Sequence, residues 1–196
     1  MSEAVSRRTA LRTLGATAGA FATWPYLSEG AAEAFAHIQK AQPAPKLAFL
    51  TAAQYATVDA VAETIIPADD HSPGAKAARV ADYIDLLLSE SDAATKEAWT
   101  SGLAALDQAS TERYTAPFAK AAAAQQVTLL TEVSRNELNP QTPLEKFFTA
   151  TKDATIRGYY TSEIGLHKEL QYQGNKFLPE FVGCTHPEHG YVPSSK

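Results

Sequence analysis

The sequence predicts an all-α protein, a compact bundle of about five to six helices. Three observations lead there. Apolar residues recur every three to four positions through the middle of the chain. Helix start and stop signals punctuate that pattern at regular intervals. No stretch shows the strict alternation of a half-buried strand. With 196 residues, 45% of them apolar, the chain supports one domain with a core and appendages. A net charge of −5 argues against nucleic acid as a partner. The expected division is a signal segment over residues 1–36, a linker over 37–50, a helical domain over 51–170 and an extended tail over 171–196.

The first segment opens on Ser6-Arg7-Arg8-Thr9-Ala10-Leu11-Arg12, followed by the small, mildly apolar run LGATAGAFA. Twin arginines ahead of a weakly hydrophobic stretch resemble a Tat export signal, with Arg7 and Arg8 as its determinants. The usual Phe is missing at the position of Ala10. The run is shorter and more interrupted than the roughly 20 apolar residues of a membrane span. Ala34-Phe35-Ala36 has the small-x-small form of a leader cleavage site before His37. Left uncut, residues 21–27, with Trp24 and Tyr26, suit a membrane interface and peripheral association. Tat passengers cross folded, so such a route implies assembly in the cytoplasm and residence in the periplasm.

Pro43 and Pro45 mark the linker. Thr51 and Gln54 have capping-box spacing and open the first helix of the domain. Its face is Tyr55, Val58, Ala62 and Ile65, and Pro67 ends it. Asp69, Asp70 and His71 form a loop tip. Ser72-Pro73 reads as an N-cap and first-turn proline of a second helix, with Val80, Tyr83, Ile84, Leu87 and Leu88 inward. Asp82 and Asp85 are expected on its outer side, and with Glu63 as caps, pairs or solvated surface.

A third helix is expected over residues 92–110 with Trp99, Leu103 and Leu106 inward, and a fourth over 121–135 with Val127, Leu130 and Val133 as its apolar row. Thr142-Pro143 caps a fifth helix to about residue 160, whose inner face runs from Leu144 and Phe147 to Ala154 and Gly158. Gly158 inside a helix points to close packing against another backbone. A short sixth helix is expected over residues 162–170. The tail then loses all period and carries Tyr172, Phe177, Phe181 and Tyr191. Such a segment either packs back across the bundle or lies against another protein.

Motifs for chemistry are scarce. There is no G-x-G-x-x-G, no P-loop and no C-x-x-C-H for attached haem. Asp69, Asp70 and His71 read as solvated turn residues before a hard-cation site. Cys184, His186 and His189 form a C-x-H-x-x-H run whose thiol and imidazoles suit zinc or copper, but no fourth ligand is evident. An independent metal-binding protein is therefore the alternative reading of this tail. Cys184 is the sole cysteine, so it is either a packed free thiol or bonded to another chain. No catalytic residue is assigned.

The run LTAAQYATVDAVAETIIPADDHSPGAKAARVADYIDLLL, the segment from Thr142-Pro143 to GYYTSEIG, and QGNKF with GCTHPEH resemble the gluconate 2-dehydrogenase subunit 3 family over about residues 47–190. The resemblance implies a non-catalytic small subunit. Its partner would be a large FAD-dependent subunit of the glucose-methanol-choline oxidoreductase type, passing electrons from a sugar, sugar acid or glycoside to a haem c-bearing cytochrome. The small subunit would stabilise that partner and escort it to the Tat translocon. Within that picture, Asp69, Asp70, Tyr172, Phe177, Phe181, Cys184, His186 and His189 become the expected partner interface, with Cys184 as a candidate for an inter-subunit disulfide.

Overall fold

The structure, a computed structural model, describes residues 29–40, 46–172 and 174. Six α-helices account for most of them: α1 Glu29–Lys40, α2 Ala52–Ile65, α3 Val80–Glu90, α4 Ala93–Tyr114, α5 Ala123–Val133 and α6 Pro143–Tyr160. Short 3-10 turns follow α4 and α5, and a π-turn, Gly165–Glu169, follows α6. Among the described residues there is no strand. The all-α expectation holds.

Local signals set several boundaries. Thr51 and Gln54 form a reciprocal capping box at α2, and Thr142 and Glu145 form another at α6. Asp92 caps α4 by accepting the Thr95 amide at 2.7 Å. That helix outruns its expected end and stops at Thr115, which turns left-handed with φ 60°. Within the expected fourth helix, α5 keeps only residues 123–133.

The core forms where α6 lies against α2, α3, α4 and α5. Trp99 of α4 and Phe147 of α6 meet edge to face at 5.4 Å. Gly102 makes room for the Phe147 ring, since any Cβ there would run into it. Gly158 of α6 does the same for α3. A Cβ there would sit 2.9 Å from Tyr83 Cδ1 and 3.2 Å from Val80 Cγ1. The close approach expected at Gly158 is therefore real, but its partner is a ring and a branched side chain, not a backbone.

Three expectations are corrected. The second helix of the domain starts at Val80, not at Pro73. Residues 75–79 form separate turns, and Arg79 breaks the helical path with φ 56° and ψ 39°. Asp82 and Asp85 are each only 5% exposed, because α3 is enclosed by α1, α2 and α6 on several sides. Val127 is 52% exposed, because the buried side of α5 is made by Leu129, Leu130 and Val133.

Finally, α1 crosses residue 36, where the sequence reading ends its signal segment, and the first residues of the expected linker form its last turn.

Candidate functional site

The acid-rich loop between α2 and α3 is held by a network of backbone and side-chain bonds. It begins where Pro67 stops α2, with the Ile66 amide still bonded to Ala62 O at 2.9 Å. Asp69 then folds the tip. One carboxylate oxygen accepts the amides of His71 and Ser72, each at 2.8 Å. The Asp69 amide returns to Ser72 O at 3.0 Å. This is an Asx-type turn, and the two amides hold the Asp69 carboxyl below its ordinary range.

Glu63, two residues before the end of α2, holds the loop from behind. Its carboxylate accepts the Lys76 amide at 2.8 Å and the Ala68 amide at 3.4 Å. Gly74 lies directly over that carboxylate, since a Cβ there would be 2.5 Å from Oε1. The Ala75 amide bonds back to Ile66 O at 2.9 Å, and Lys76 Nζ reaches Asp59 at 3.1 Å. Ser72, Pro73, Ala75 and Lys76 are thus bonded to the α2 end or to α6, and Gly74 packs over Glu63.

The tie to α6 comes from Tyr159. Its hydroxyl donates to Pro73 O at 2.9 Å and meets the Ser72 hydroxyl in a very short contact. With the phenol proton on Pro73, the Ser72 hydroxyl donates to Tyr159. Burial raises the Tyr159 phenol, partly offset by the Ser72 bond. Ser72 therefore does not cap a helix. Its hydroxyl serves a tyrosine 87 positions away. Nothing local in the sequence signals that pairing.

Asp82 and Asp85 of α3, both buried, and the half-buried Asp107 of α4 hold further groups. Asp85 accepts the amides of Ala48, Phe49 and Leu50 at 2.6, 3.0 and 2.6 Å. Asp82 accepts from Arg79 Nε at 2.9 Å and from the Tyr55 hydroxyl at 3.2 Å. The Tyr55 phenol is strongly raised, by burial first and by Asp82 and Asp59 next. Asp107 of α4 accepts the Phe118 amide at 2.9 Å and the Thr57 hydroxyl at 3.3 Å. These carboxylates act as backbone and side-chain anchors.

The residues named from the sequence fall into three groups. Asp69 turns its carboxylate into the loop, while Asp70 is exposed at the tip. Tyr172 is exposed at the exit of the domain, near the exposed Leu170. Arg7, Arg8, Phe177, Phe181, Cys184, His186 and His189 lie outside the described residues. Among the described residues no group of three or more His, Cys, Asp or Glu is placed to hold a metal ion. On the outer side of the loop, a groove of about 510 Å³ runs between α2 and α5, lined by Ala60, Glu63, Pro67, Lys76 and the exposed Val127.

Fold and site together describe a helical domain built around a heavily anchored loop. The family model described as "Gluconate 2-dehydrogenase subunit 3" matches residues 52–179. The chain belongs to that family, a subunit of a dehydrogenase complex, and its match covers the acid-rich loop and the Tyr159 segment alike. No curated protein and no solved structure matches the chain.

Proposed function

We propose that this chain is the non-catalytic small subunit of a periplasmic FAD-dependent sugar, sugar-acid or glycoside dehydrogenase. It binds a large flavoprotein of the glucose-methanol-choline type, stabilises it and escorts it through Tat export. A c-type cytochrome then takes the electrons from the flavoprotein.

The observation that carries this reading is what three acids between α2 and the middle of α3 do. Glu63, Asp69 and Asp85 all accept main-chain amides. A catalytic acid or base needs a lone pair facing a substrate. These carboxylates face their own chain. The segment is a scaffold inside the region that the family model matches, and a scaffold suits a subunit that serves assembly. The Arg7-Arg8 leader supports the export half of the reading.

Co-expression tests it. The large flavoprotein is expected to reach the periplasm as soluble holoenzyme only when this chain accompanies it. Arg7→Lys with Arg8→Lys should retain both subunits in the cytoplasm. Dye-linked sugar oxidation should belong to the complex and not to this chain by itself. Flavin binding and turnover by the isolated chain would refute the proposal.

A further inference from the structure

The expected leader boundary lies inside a docked helix. Phe35, the central residue of Ala34-Phe35-Ala36, is only 4% exposed and belongs to the core. Its ring meets Tyr83 of α3 edge to face at 5.2 Å. One turn further on, the Gln39 amide group donates to Ala78 O at 3.4 Å, and its oxygen accepts the Glu163 amide at 3.4 Å. Helix α1 therefore bridges the end of the acid-rich loop and the segment after α6.

Arg79 completes the attachment. Its guanidinium donates through Nη1 to the Ile38 carbonyl and through Nε to Asp82 at 2.9 Å. Ile38 lies in the last turn of α1, where carbonyls have no partner within the helix and where a cation is favoured. Arg79 is also the residue whose backbone is left-handed, a conformation that costs a non-glycine residue energy and persists only where its surroundings impose it. Its two bonds, to the end of α1 and to the first turn of α3, hold it there. The start of α3 and the end of α1 are thus fixed by one side chain.

A leader peptidase reads small residues at the two flanking positions of an extended strand. In α1 the same three residues are helical, and the middle one is in the core. We infer that the folded chain retains the docked turns of α1: the Ala34-Phe35-Ala36 site is closed by docking, and the leader is not cut after Ala36. The family match begins at residue 52, so α1 is a feature of this chain outside the matched region. The inference rests on the export reading for its setting alone, since the docking contacts exist whichever compartment holds the protein.

The test uses the purified full-length chain and a purified leader peptidase in detergent, so it does not depend on export. Wild-type protein is expected to yield no product beginning at His37. Phe35→Asp, which drives a charge into the Tyr83 contact, is expected to yield it, with the far-ultraviolet circular dichroism of the bundle kept. Hydrogen exchange supplies a second readout. Amides of residues 36–40 should exchange at least tenfold more slowly in wild type than in Phe35→Asp. A His37 product from wild type would overturn the inference. So would equal exchange in the two chains, or resistance of both to the peptidase, because the block would then not reside in the docked helix.

Discussion

The Tyr159 hydroxyl donates to the Pro73 carbonyl at 2.9 Å, across 86 positions of sequence. That bond joins α6 to the middle of the acid-rich loop, and with Ser72 it turns a loop into part of the core. Tyr159→Phe keeps the ring and its packing but leaves the Pro73 carbonyl and the Ser72 hydroxyl without their partner. A loss of about 1–3 kcal/mol is expected on urea unfolding. Ser72→Ala should cost less by itself. The double variant should be less destabilised than the sum of the two, because both remove one shared bond.

Asp85 carries a larger share. Its carboxylate holds three consecutive amides leading into α2. Asp85→Ala leaves three donors without their acceptor, the Leu50 amide in the core and the Ala48 and Phe49 amides nearer the surface, and a loss of about 2–3 kcal/mol is expected. Calorimetry of the variant against wild type checks it. A change within error of zero would mean that water serves these amides equally well.

Asp69 and Asp70 should separate. Asp69 accepts two amides, whereas Asp70 is exposed at the tip. Asp69→Lys is expected to loosen the loop and raise proteolysis near residue 70 in the isolated subunit. Asp70→Lys should leave the isolated subunit unchanged. If the tip touches the large subunit, pull-down with the flavoprotein will weaken in Asp70→Lys while thermal melting stays put.

Gly158→Ala should destabilise by about 1–3 kcal/mol, since the new methyl meets the Tyr83 ring and Val80. Helix propensity pulls the other way by about 1 kcal/mol. Steric conflict is expected to win, because both neighbours are buried in the core and have little room to move. Chemical denaturation with Tyr83→Leu in the background should recover part of the loss.

The pH profile should fall at both ends. Glu145 is held down to about 2, first by the Thr142 amide and then by Asn136 and the Gln141 amide. Asp69 and Asp92 are lowered by similar amide bonds. A depressed carboxyl stabilises the fold above its unfolded value of about 4 and loses that contribution as pH falls toward its folded value. Melting temperature is expected to decline from about pH 4.5 to pH 2, and less so in Glu145→Gln. Tyr55, Tyr83 and Tyr159 are raised by burial, so their contribution is present below about pH 10 and is lost as pH rises beyond it. Tyr55→Phe should flatten the alkaline side.

Much of the fold was legible along the chain, because the signals concerned are local. Capping boxes at Thr51 and Thr142 join residues three apart, and the buried rows on α2, α4 and α6 repeat within single helices. The candidate site was legible only as a pattern. Pro67, Asp69, Ser72 and Pro73 announced a turn, but Ser72 looked like a helix cap because its real partner, Tyr159, is remote. Asp82 and Asp85 were expected on the outer side, as caps, pairs or solvated surface, because charge is mostly exposed, and only their backbone and side-chain partners make burial affordable. Val127 looked buried because it shares a helical row with residues that are.

The sequence by itself determined the helical class, the order of the helices, the caps that start them and the family. Tertiary structure decided which polar groups hold the bundle together. It placed Asp85 beneath Leu50, Tyr159 over Pro73 and Arg79 against the end of α1. The reason is range. Periodicity and capping act within one turn of helix, whereas a buried carboxylate or hydroxyl needs a partner that only the folded chain brings to it.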